Sequence, residues 1–248
     1  NSTKFKKIIM LNQDYRINLV SNYLKILDLS HDIKEYYNGR NILVTGGAGA
    51  IGSNLVITLS ELVGDDGMII VLDNLSAIKG NDPIDLPPLS NMMFVNGDIR
   101  NDIDLKRVFR EKPSIVFHLA AFFANQNSVD YPENSADVDI QGMIKLLDLA
   151  QFTEVDRFIY ASSGCAIYGS YGEMPLKEDF ISMHLTTPYQ INKMAGEMYS
   201  NFYYHHYGLK TVNCRFFNSF GPGEVPGQYR NVIPNFVYWS MQDKSLPL

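Results

Sequence analysis

The chain has 248 residues, of which 46% are hydrophobic, 19% charged and 12% aromatic. This composition is typical of a globular protein and excludes disordered, collagen-like and disulfide-scaffold classes. Its 21 basic and 27 acidic residues give a formal net charge of −6, so neither nucleic acid nor an anionic membrane is expected as a partner.

Cysteine content and hydropathy indicate the cellular setting. The two cysteines, Cys165 and Cys214, form neither a disulfide framework nor a cysteine-based metal site, and no bound metal is expected. No apolar run of the sequence approaches the length of a membrane span. We therefore expect a cytoplasmic protein, because cysteine-poor chains without disulfides are typical of reducing compartments.

Residues 1–40 predict a helical extension that carries no recognisable chemistry. Apolar residues recur there at helical spacing and predict an amphipathic helix over residues 14–29, namely Ile17, Val20, Tyr23, Leu24 and Leu27. We interpret this helix as a strap that packs on the following domain or on a partner subunit.

From residue 41 onward, short β-rich apolar runs alternate with helical stretches, which indicates βαβ units around a parallel sheet. The predicted strands are Asn41–Thr45, Met68–Asp73, Met92–Asn96, Ser114–Leu119, Arg157–Ser162 and Lys210–Phe216. Helices are expected to begin near Ala50, Ile103, Asp139 and Pro188, and proline-rich Asn81–Ser90 is expected to be a loop. The fold class is therefore α/β, a Rossmann-type doubly wound sheet over residues 41–216, and the Gly/Pro-rich residues 217–248 begin a small C-terminal lobe.

A glycine-rich turn joins the first strand to the first helix of this sheet. Glycines at 47, 49 and 52 satisfy the G-x-G-x-x-G spacing, in which absent side chains allow a tight turn and close approach of a pyrophosphate. Asp73 ends the next strand, at the separation from the glycines expected of a carboxylate that binds the adenosine ribose. Because this carboxylate would repel a 2′-phosphate, the pattern favours NAD over NADP.

A second group of residues suits proton transfer. Tyr189 and Lys193 are four apart in a predicted helix, so the ammonium and the phenol lie on one face. A nearby cation favours the phenolate form of a tyrosine. Ser162 and Ser163 close a predicted strand, and catalytic groups collect at the carboxyl edge of such sheets. Either serine would complete the group.

These motifs together resemble the extended short-chain dehydrogenase/reductase family, in its NAD-dependent nucleotide-sugar epimerase and dehydratase branch, which includes enzymes similar to UDP-glucose 4-epimerase. The resemblance extends from residue 41 to residue 248. It is carried by six segments in order: residues 45–52 (TGGAGAIG), 71–76 (VLDNLS), 97–100 (GDIR), 118–121 (HLAA), 189–193 (YQINK) and 215–223 (RFFNSFGPG).

The resemblance implies a role for each matching residue. Tyr189 would be the base, Lys193 would hold the nicotinamide ribose, Asn218 would contact the diphosphate of the substrate, and Ser162 or Ser163 would be the catalytic hydroxyl. The implied NAD site, which also includes Tyr189 and Lys193, comprises Gly46, Gly49, Ala50, Ile51, Gly52, Asp73, Asn74, Asp98, Ile99, Leu119, Ala120 and Ala121.

Two departures from the family pattern bear on the chemistry. Sugar 4,6-dehydratases carry an Asp-Glu pair directly after the catalytic threonine, whereas here Gly164, Cys165 and Ala166 follow the serines. Elimination of water therefore lacks its acid, and epimerisation is favoured. The second departure is Asp139, which stands where the family usually has an asparagine near the cofactor.

The sequence thus predicts an NAD-dependent nucleotide-sugar epimerase, acting at C4 by transient oxidation to a keto-sugar. The alternatives are a dehydratase or reductase of the same family and, in a different class, a truncated and catalytically inert NAD-binding protein, since the chain ends where the substrate lobe of the family begins. By family analogy, a homodimer would form through the Tyr189 helix and the helix near Asp139–Gln151. Along the Tyr189 helix, Met194, Met198 and Phe202 are expected to face the core.

Overall fold

The computed structural model describes residues 13–77, 86–169 and 174–246, in which six parallel strands form one sheet. The strands are β1 (Asn41–Thr45), β2 (Met68–Asp73), β3 (Met92–Asn96), β4 (Ile115–His118), β5 (Arg157–Ser163) and β6 (Thr211–Phe216). Their order across the sheet is β3-β2-β1-β4-β5-β6. This is the doubly wound order, which confirms the predicted fold class; each strand end lies within one residue of the prediction.

Helices cover both faces of the sheet. They are α1 (Gln13–Leu27), α2 (His31–Tyr37), α3 (Ala50–Val63), α4 (Asp102–Phe109), α5 (Asn125–Asp130), α6 (Pro132–Ala136), α7 (Met143–Phe152), α8 (Gly164–Tyr168), α9 (Pro188–Tyr207) and α10 (Val232–Ser240). A π-helical turn, Asp137–Gly142, leads into α7. The helix predicted near Asp139 is therefore partly wrong, since its first turn is π-helical and α7 begins at Met143.

The core has two layers because alternate residues of each strand face opposite sides of the sheet. Ile42 and Val44 face α3, where they pack with Val56 and Leu59. On the other side lies a larger cluster from the sheet and from α4, α7 and α9, which includes Leu43, Ile70, Val116, Phe158, Leu105, Met143, Leu147 and Tyr203. Strands buried on both faces account for the continuous apolar runs in the sequence.

The N-terminal extension differs from its prediction in two ways. Helix α1 packs on α3 as the strap interpretation expects, but α2 was not predicted. The predicted apolar face is also too wide, since Val20 is buried while Tyr23 and Leu27 are exposed. The contacts of α1 with other elements are mainly with α3, and a single helix covers only a narrow stripe of its neighbour. Residues 1–12, and residues 81–85 of the predicted loop, lie outside the described residues.

Helix α9 has a defined cap at each end. Thr187 and Gln190 form a capping box ahead of its first turn, and left-handed Gly208 ends it. Met194 is buried as expected, but Met198 and Phe202 are about half exposed, so the core prediction is wrong for these two residues.

Within the described residues, no helix combines the length and the apolar character needed to cross a bilayer.

Candidate active site

The glycine turn lies where β1 ends and α3 begins. Gly46 has a positive φ of 73° and donates its N–H to Leu72 O at 2.9 Å. A Cβ on Gly52 would lie 2.1 Å from Gly46 O, so the turn excludes any side chain there. The bond from Ser53 N–H to Gly49 O, 2.9 Å long, begins the helical pattern. The N–H groups just ahead of Ser53 therefore point out of the helix N-terminus.

Two carboxylates stand beside this turn at the carboxyl edge of the sheet. Asp73 accepts a hydrogen bond from the N–H of Ala48 at 2.9 Å and from that of Leu75 at 2.8 Å. Burial raises the pKa of Asp73, and these two hydrogen bonds lower it by a smaller amount. Asp98 accepts from the guanidinium of Arg100 at 2.9 and 2.8 Å. These bonds hold the pKa of Asp98 at about 2, so it is an anion at neutral pH.

The remaining residues of the predicted cofactor site border these groups. Asn74 donates its side-chain amide to Asp98 at 2.9 Å. Ile99 is buried, and its side chain packs against Gly142. The N–H of Leu119 donates to Thr45 O at 3.0 Å, which joins the end of β4 to the end of β1.

The approach of Ala120 to the glycine turn is close. A Cβ on Gly46 would lie 2.6 Å from Ala120 N. The N–H of Ala120 donates to Thr45 Oγ1 at 3.3 Å, and that hydroxyl lies 2.8 Å from His118 Nδ1. Burial lowers the pKa of His118 to about 3, so its imidazole is neutral. Ala121 follows, partly exposed, at the same edge of the sheet.

Helix α9 brings Tyr189 and Lys193 to the end of β5. Burial raises the pKa of the Tyr189 phenol to about 12, and hydrogen bonding from Ser163 lowers this pKa by a smaller amount. Lys193 is buried and donates to Ala161 O at 2.8 Å. Its ammonium lies 5.8 Å from the ring centroid of Tyr189 and 5.0 Å from that of Tyr160.

The two serines at the end of β5 have different partners. Ser163 contacts Tyr189, and its Oγ lies 3.3 Å from Cys165 Sγ. Ser162 Oγ instead donates to Glu197 Oε1 at 2.6 Å. Adjacent residues of a strand point to opposite faces, so one serine is brought to the tyrosine and the other is turned away from it.

Asp139 is a buried acid that the sequence marked only as a departure from the family. Its Oδ1 accepts the N–H of Phe122 at 2.7 Å, and its Oδ2 accepts from Ser135 Oγ at 3.1 Å. Burial raises the pKa of Asp139, and the nearby charge of Lys193 lowers it. For Lys193 the effects are reversed, because burial lowers its pKa and the charge of Asp139 raises it. The two groups therefore stabilise each other's charge.

A second acid, Glu197, was not predicted from the sequence to have a role, because its partners lie on two other segments of the chain. It lies four residues after Lys193, and this spacing places both on one face of α9. Arg215 of β6 donates to it from Nε at 3.0 Å and from Nη2 at 2.9 Å. This ion pair is shielded from solvent, with 6% of the Glu197 side chain and 15% of the Arg215 side chain exposed.

Asn218 is not joined to this group by a hydrogen bond to any described residue. It lies in the exposed stretch after β6. No cluster of three or more His, Cys, Asp or Glu side chains suited to a metal ion occurs in the described ranges. The group that the fold assembles is therefore a glycine turn with adjacent acids, a tyrosine, a lysine and a serine along one sheet edge.

Comparison with known proteins assigns this arrangement. The NAD-dependent epimerase/dehydratase family matches residues 42–247. The chain belongs to this family. The predicted family and its NAD cofactor are thereby confirmed, and an epimerase of the family from Thermus thermophilus has been solved in complex with NAD.

Several family members are similar in sequence and structure. The epimerase Mth375 from Methanothermobacter thermautotrophicus is 51% identical, with a TM-score of 0.83 over 88% of this chain and 63% of that one. UDP-glucose 4-epimerase from Thermotoga maritima, solved with UDP-glucose, is 35% identical, with a TM-score of 0.73 over 82% of this chain and 64% of that one. A putative UDP-glucose 4-epimerase from Methanocaldococcus jannaschii is 34% identical over 82% of this chain and 64% of its own length.

The matches also include a dehydratase, dTDP-D-glucose 4,6-dehydratase from mouse, which is 32% identical over 80% of this chain and 55% of its own length. The family therefore includes both epimerases and dehydratases, and membership alone does not distinguish between these reactions. The chain spans somewhat less than two thirds of the length of these relatives.

The residues present fit the dinucleotide of the family. Apart from its neighbours in the chain, a Cβ on Gly49 would meet one described atom within 4 Å, Gly46 O at 3.2 Å. The outer side of the turn is therefore open to a ligand, while its inner side is closed by Gly46 and Gly52. The open side faces the α3 N-terminus, which attracts anions.

Proposed function

We propose that the chain is an NAD-dependent nucleotide-sugar epimerase that acts at C4 of the sugar. The observation that carries this proposal is the Ser163–Tyr189–Lys193 group, set at the same sheet edge as the glycine turn. A hydroxyl oxidised by hydride transfer must lose a proton at the same time, and this group offers a base next to the cofactor side of the sheet.

The NAD site that we propose consists of the turn residues Gly46, Gly49, Ala50, Ile51 and Gly52 and the residues that border them. The diphosphate would lie on the N–H groups of the first turn of α3. Asp73 would bind the adenosine ribose, with its carboxylate held in place by two backbone N–H groups. Asn74, Asp98, Ile99 and Leu119–Ala121 would form the adenine side and the floor of the site.

The proton steps belong to residues of this chain. NAD, when bound, supplies a reversible hydride acceptor and a positive ring charge that favours the phenolate form of Tyr189. The phenolate of Tyr189 removes the proton from the C4 hydroxyl, assisted by the hydrogen bond that Ser163 donates to the phenolate oxygen. After the keto-sugar has turned over, Tyr189 returns the proton to its oxygen. Lys193 supports the phenolate with its charge, and Asp139 raises the pKa of that lysine against the larger, lowering effect of burial.

Burial makes this assistance necessary. The pKa of Tyr189 is raised to about 12 by burial, so the phenolate is scarce at neutral pH without cationic help. The hydrogen bond from Ser163 lowers this pKa, as does any positive charge brought close to the ring. The arrangement therefore suits a base that becomes active when the cofactor occupies its site.

Two other functions remain as outcomes of the test. A 4,6-dehydratase is favoured by the dehydratases among the relatives, but positions 164–166 offer a glycine, a cysteine and an alanine instead of acids. The other candidate is a catalytically inert NAD-binding protein. In that case, NAD would bind without turnover of any sugar nucleotide.

We propose UDP-sugars as the first substrates to test, and Asn218 as a residue that contacts their diphosphate. A cytoplasmic location is proposed from the free thiols of Cys165 and Cys214.

A homodimer is also proposed, on the exposed apolar side chains of α9, where Ile191, Met198 and Phe202 share one face. The helix at Asp139–Gln151 would provide the second contact. Light scattering should give a dimer mass, and Met198→Glu should give a monomer. A monomer mass for the unaltered protein would contradict this arrangement.

The experiment that tests the function offers UDP-, dTDP-, CDP- and GDP-sugars to the purified protein and analyses products and NADH. We expect a C4 epimer without net change in NADH. Tyr189→Phe should lower turnover at least about 100-fold while NAD affinity changes less than about threefold. Tyr204→Phe, on the same helix but exposed, is the matched control and should remain active. Loss of water from the sugar would instead identify a dehydratase.

A further inference from the structure

Arg16 is a buried charge that the proposed function does not use. It lies on α1, ahead of the family-matched residues 42–247, and 5% of its surface is exposed. Burying a guanidinium is costly unless it has partners that compensate for lost water. A surface strap that merely covered α3 would need only its apolar residues.

The guanidinium is directed to the start of the phosphate-turn helix. Its Nη2 donates to Ser53 Oγ at 2.9 Å and to Asn54 Oδ1 at 3.0 Å. Ser53 and Asn54 are the fourth and fifth residues of α3. The positive charge therefore lies within about one helical turn, roughly 5 Å, of the N–H groups that face the glycine turn.

The segment after β6 makes room for this side chain. Gly223 has a φ of 89°, and a Cβ there would lie 3.1 Å from Arg16 Nη1 and 3.2 Å from Ser53 Oγ. Asn54 also donates to Pro222 O at 2.8 Å. Arg16 is thus enclosed by the extension, the phosphate-turn helix and the Gly/Pro-rich segment, and its position is fixed by all three.

The glycine turn lacks a full positive charge of its own. Residues 45–54 contain no Lys, Arg, Asp or Glu, and the charged group that contacts the turn is the Asp73 carboxylate on Ala48 N–H. The diphosphate of a dinucleotide carries two negative charges, whereas a helix N-terminus offers about half a positive charge. A fixed guanidinium beside the first turn offsets this difference.

We propose that Arg16 contributes to binding of the NAD diphosphate, so that the N-terminal helix α1 is part of the cofactor site. The inference rests on the proposed placement of NAD at the glycine turn, and it adds a residue from outside the family-matched part of the chain. Arg16 acts through its charge, beyond its hydrogen bonds to Ser53 and Asn54.

The test compares two substitutions that retain hydrogen-bond donors but differ in charge. Dissociation constants of NAD, ADP and adenosine are measured by calorimetry for the unaltered protein, Arg16→Gln and Arg16→Lys. Arg16→Gln should weaken NAD and ADP about tenfold, equal to about 1.4 kcal/mol, and adenosine less than twofold. The dissociation constants of Arg16→Lys for all three ligands should stay within about threefold of those of the unaltered protein. The salt dependence of ADP binding should become shallower in Arg16→Gln.

Arg40→Gln is the matched control. Arg40 pairs with Asp156 just ahead of β1, at the opposite edge of the sheet, and its loss changes the net charge equally. Arg40→Gln should leave all three dissociation constants within twofold of those of the unaltered protein. Thermal unfolding of each variant checks that α1 remains docked.

Three results would overturn the inference. Equal affinities of Arg16→Gln and Arg16→Lys for ADP would show that charge at this position is irrelevant. Equal losses for adenosine and ADP would indicate a purely structural role. Failure of the unaltered protein to bind NAD would contradict the cofactor site itself and this inference with it, whereas NAD binding that is unaffected by Arg16→Gln contradicts the inference alone.

Discussion

The buried ion pair between Glu197 and Arg215 allows a quantitative test of how the site is held together. Removal of one partner from a buried pair leaves the other charge uncompensated and costs about 3–5 kcal/mol. The two partners are not equivalent. Without Glu197, Arg215 keeps Tyr168 Oη at 3.2 Å, Glu178 O at 2.9 Å and Phe180 O at 3.4 Å as acceptors.

Loss of the arginine is the more severe change. Without Arg215, the remaining side-chain donor to Glu197 among the described residues is Ser162. We therefore expect Arg215→Met to lower the free energy of unfolding by about 4–5 kcal/mol, and Glu197→Gln by about 2–3 kcal/mol. The double variant should cost about 2 kcal/mol less than the two single changes combined.

Urea unfolding followed by circular dichroism measures these values, and thermal unfolding provides a check. For a chain of this length, a loss of 4 kcal/mol corresponds to roughly 10 °C in Tm. Single substitutions that each cost below about 1 kcal/mol would refute the reasoning, as would strict additivity in the double variant. Arg40→Gln, which breaks a more exposed pair, should cost less than about 1 kcal/mol.

Two further predictions concern the chemistry. Ser163→Ala removes the bond that lowers the pKa of Tyr189, so the acidic limb of the pH–rate profile should move up by about one unit and activity at neutral pH should fall about tenfold. Ser162→Ala should leave that limb in place; a shift in Ser162→Ala alone would reverse the assignment. Asp73→Asn removes the charge that repels a 2′-phosphate, and the preference for NAD over NADP, measured as a ratio of dissociation constants, should fall at least about tenfold. An unchanged ratio would argue against ribose binding by Asp73.

Most of the fold was predictable because its signals are local. Buried parallel strands give continuous apolar runs, and the glycines mark the turn between β1 and α3. Tyr189 and Lys193 could be paired because four residues in a helix return to the same face. These patterns depend on backbone geometry alone.

The choice between Ser162 and Ser163 could not be made from the sequence. Both close β5, and the face that each one takes depends on how the strand passes into α8. Arg16 was overlooked for a related reason, since a charged residue in an amphipathic helix is expected on the solvent side. Its burial depends on Gly223, more than 200 residues later in the sequence, and local patterns carry no record of such contacts.

In the proposed mechanism, Tyr189 and a cofactor at the glycine turn epimerise a sugar nucleotide through transient oxidation at C4. UDP-glucose deuterated at C4, incubated with the protein and analysed by NMR, tests it most directly. We predict UDP-galactose that retains the deuterium at C4, since the hydride removed is returned to the same carbon. Two results would contradict this mechanism in the labelled reaction, namely loss of the deuterium to solvent and loss of water from the sugar. It would also be contradicted if the protein bound NAD but left the UDP-, dTDP-, CDP- and GDP-sugars all unchanged.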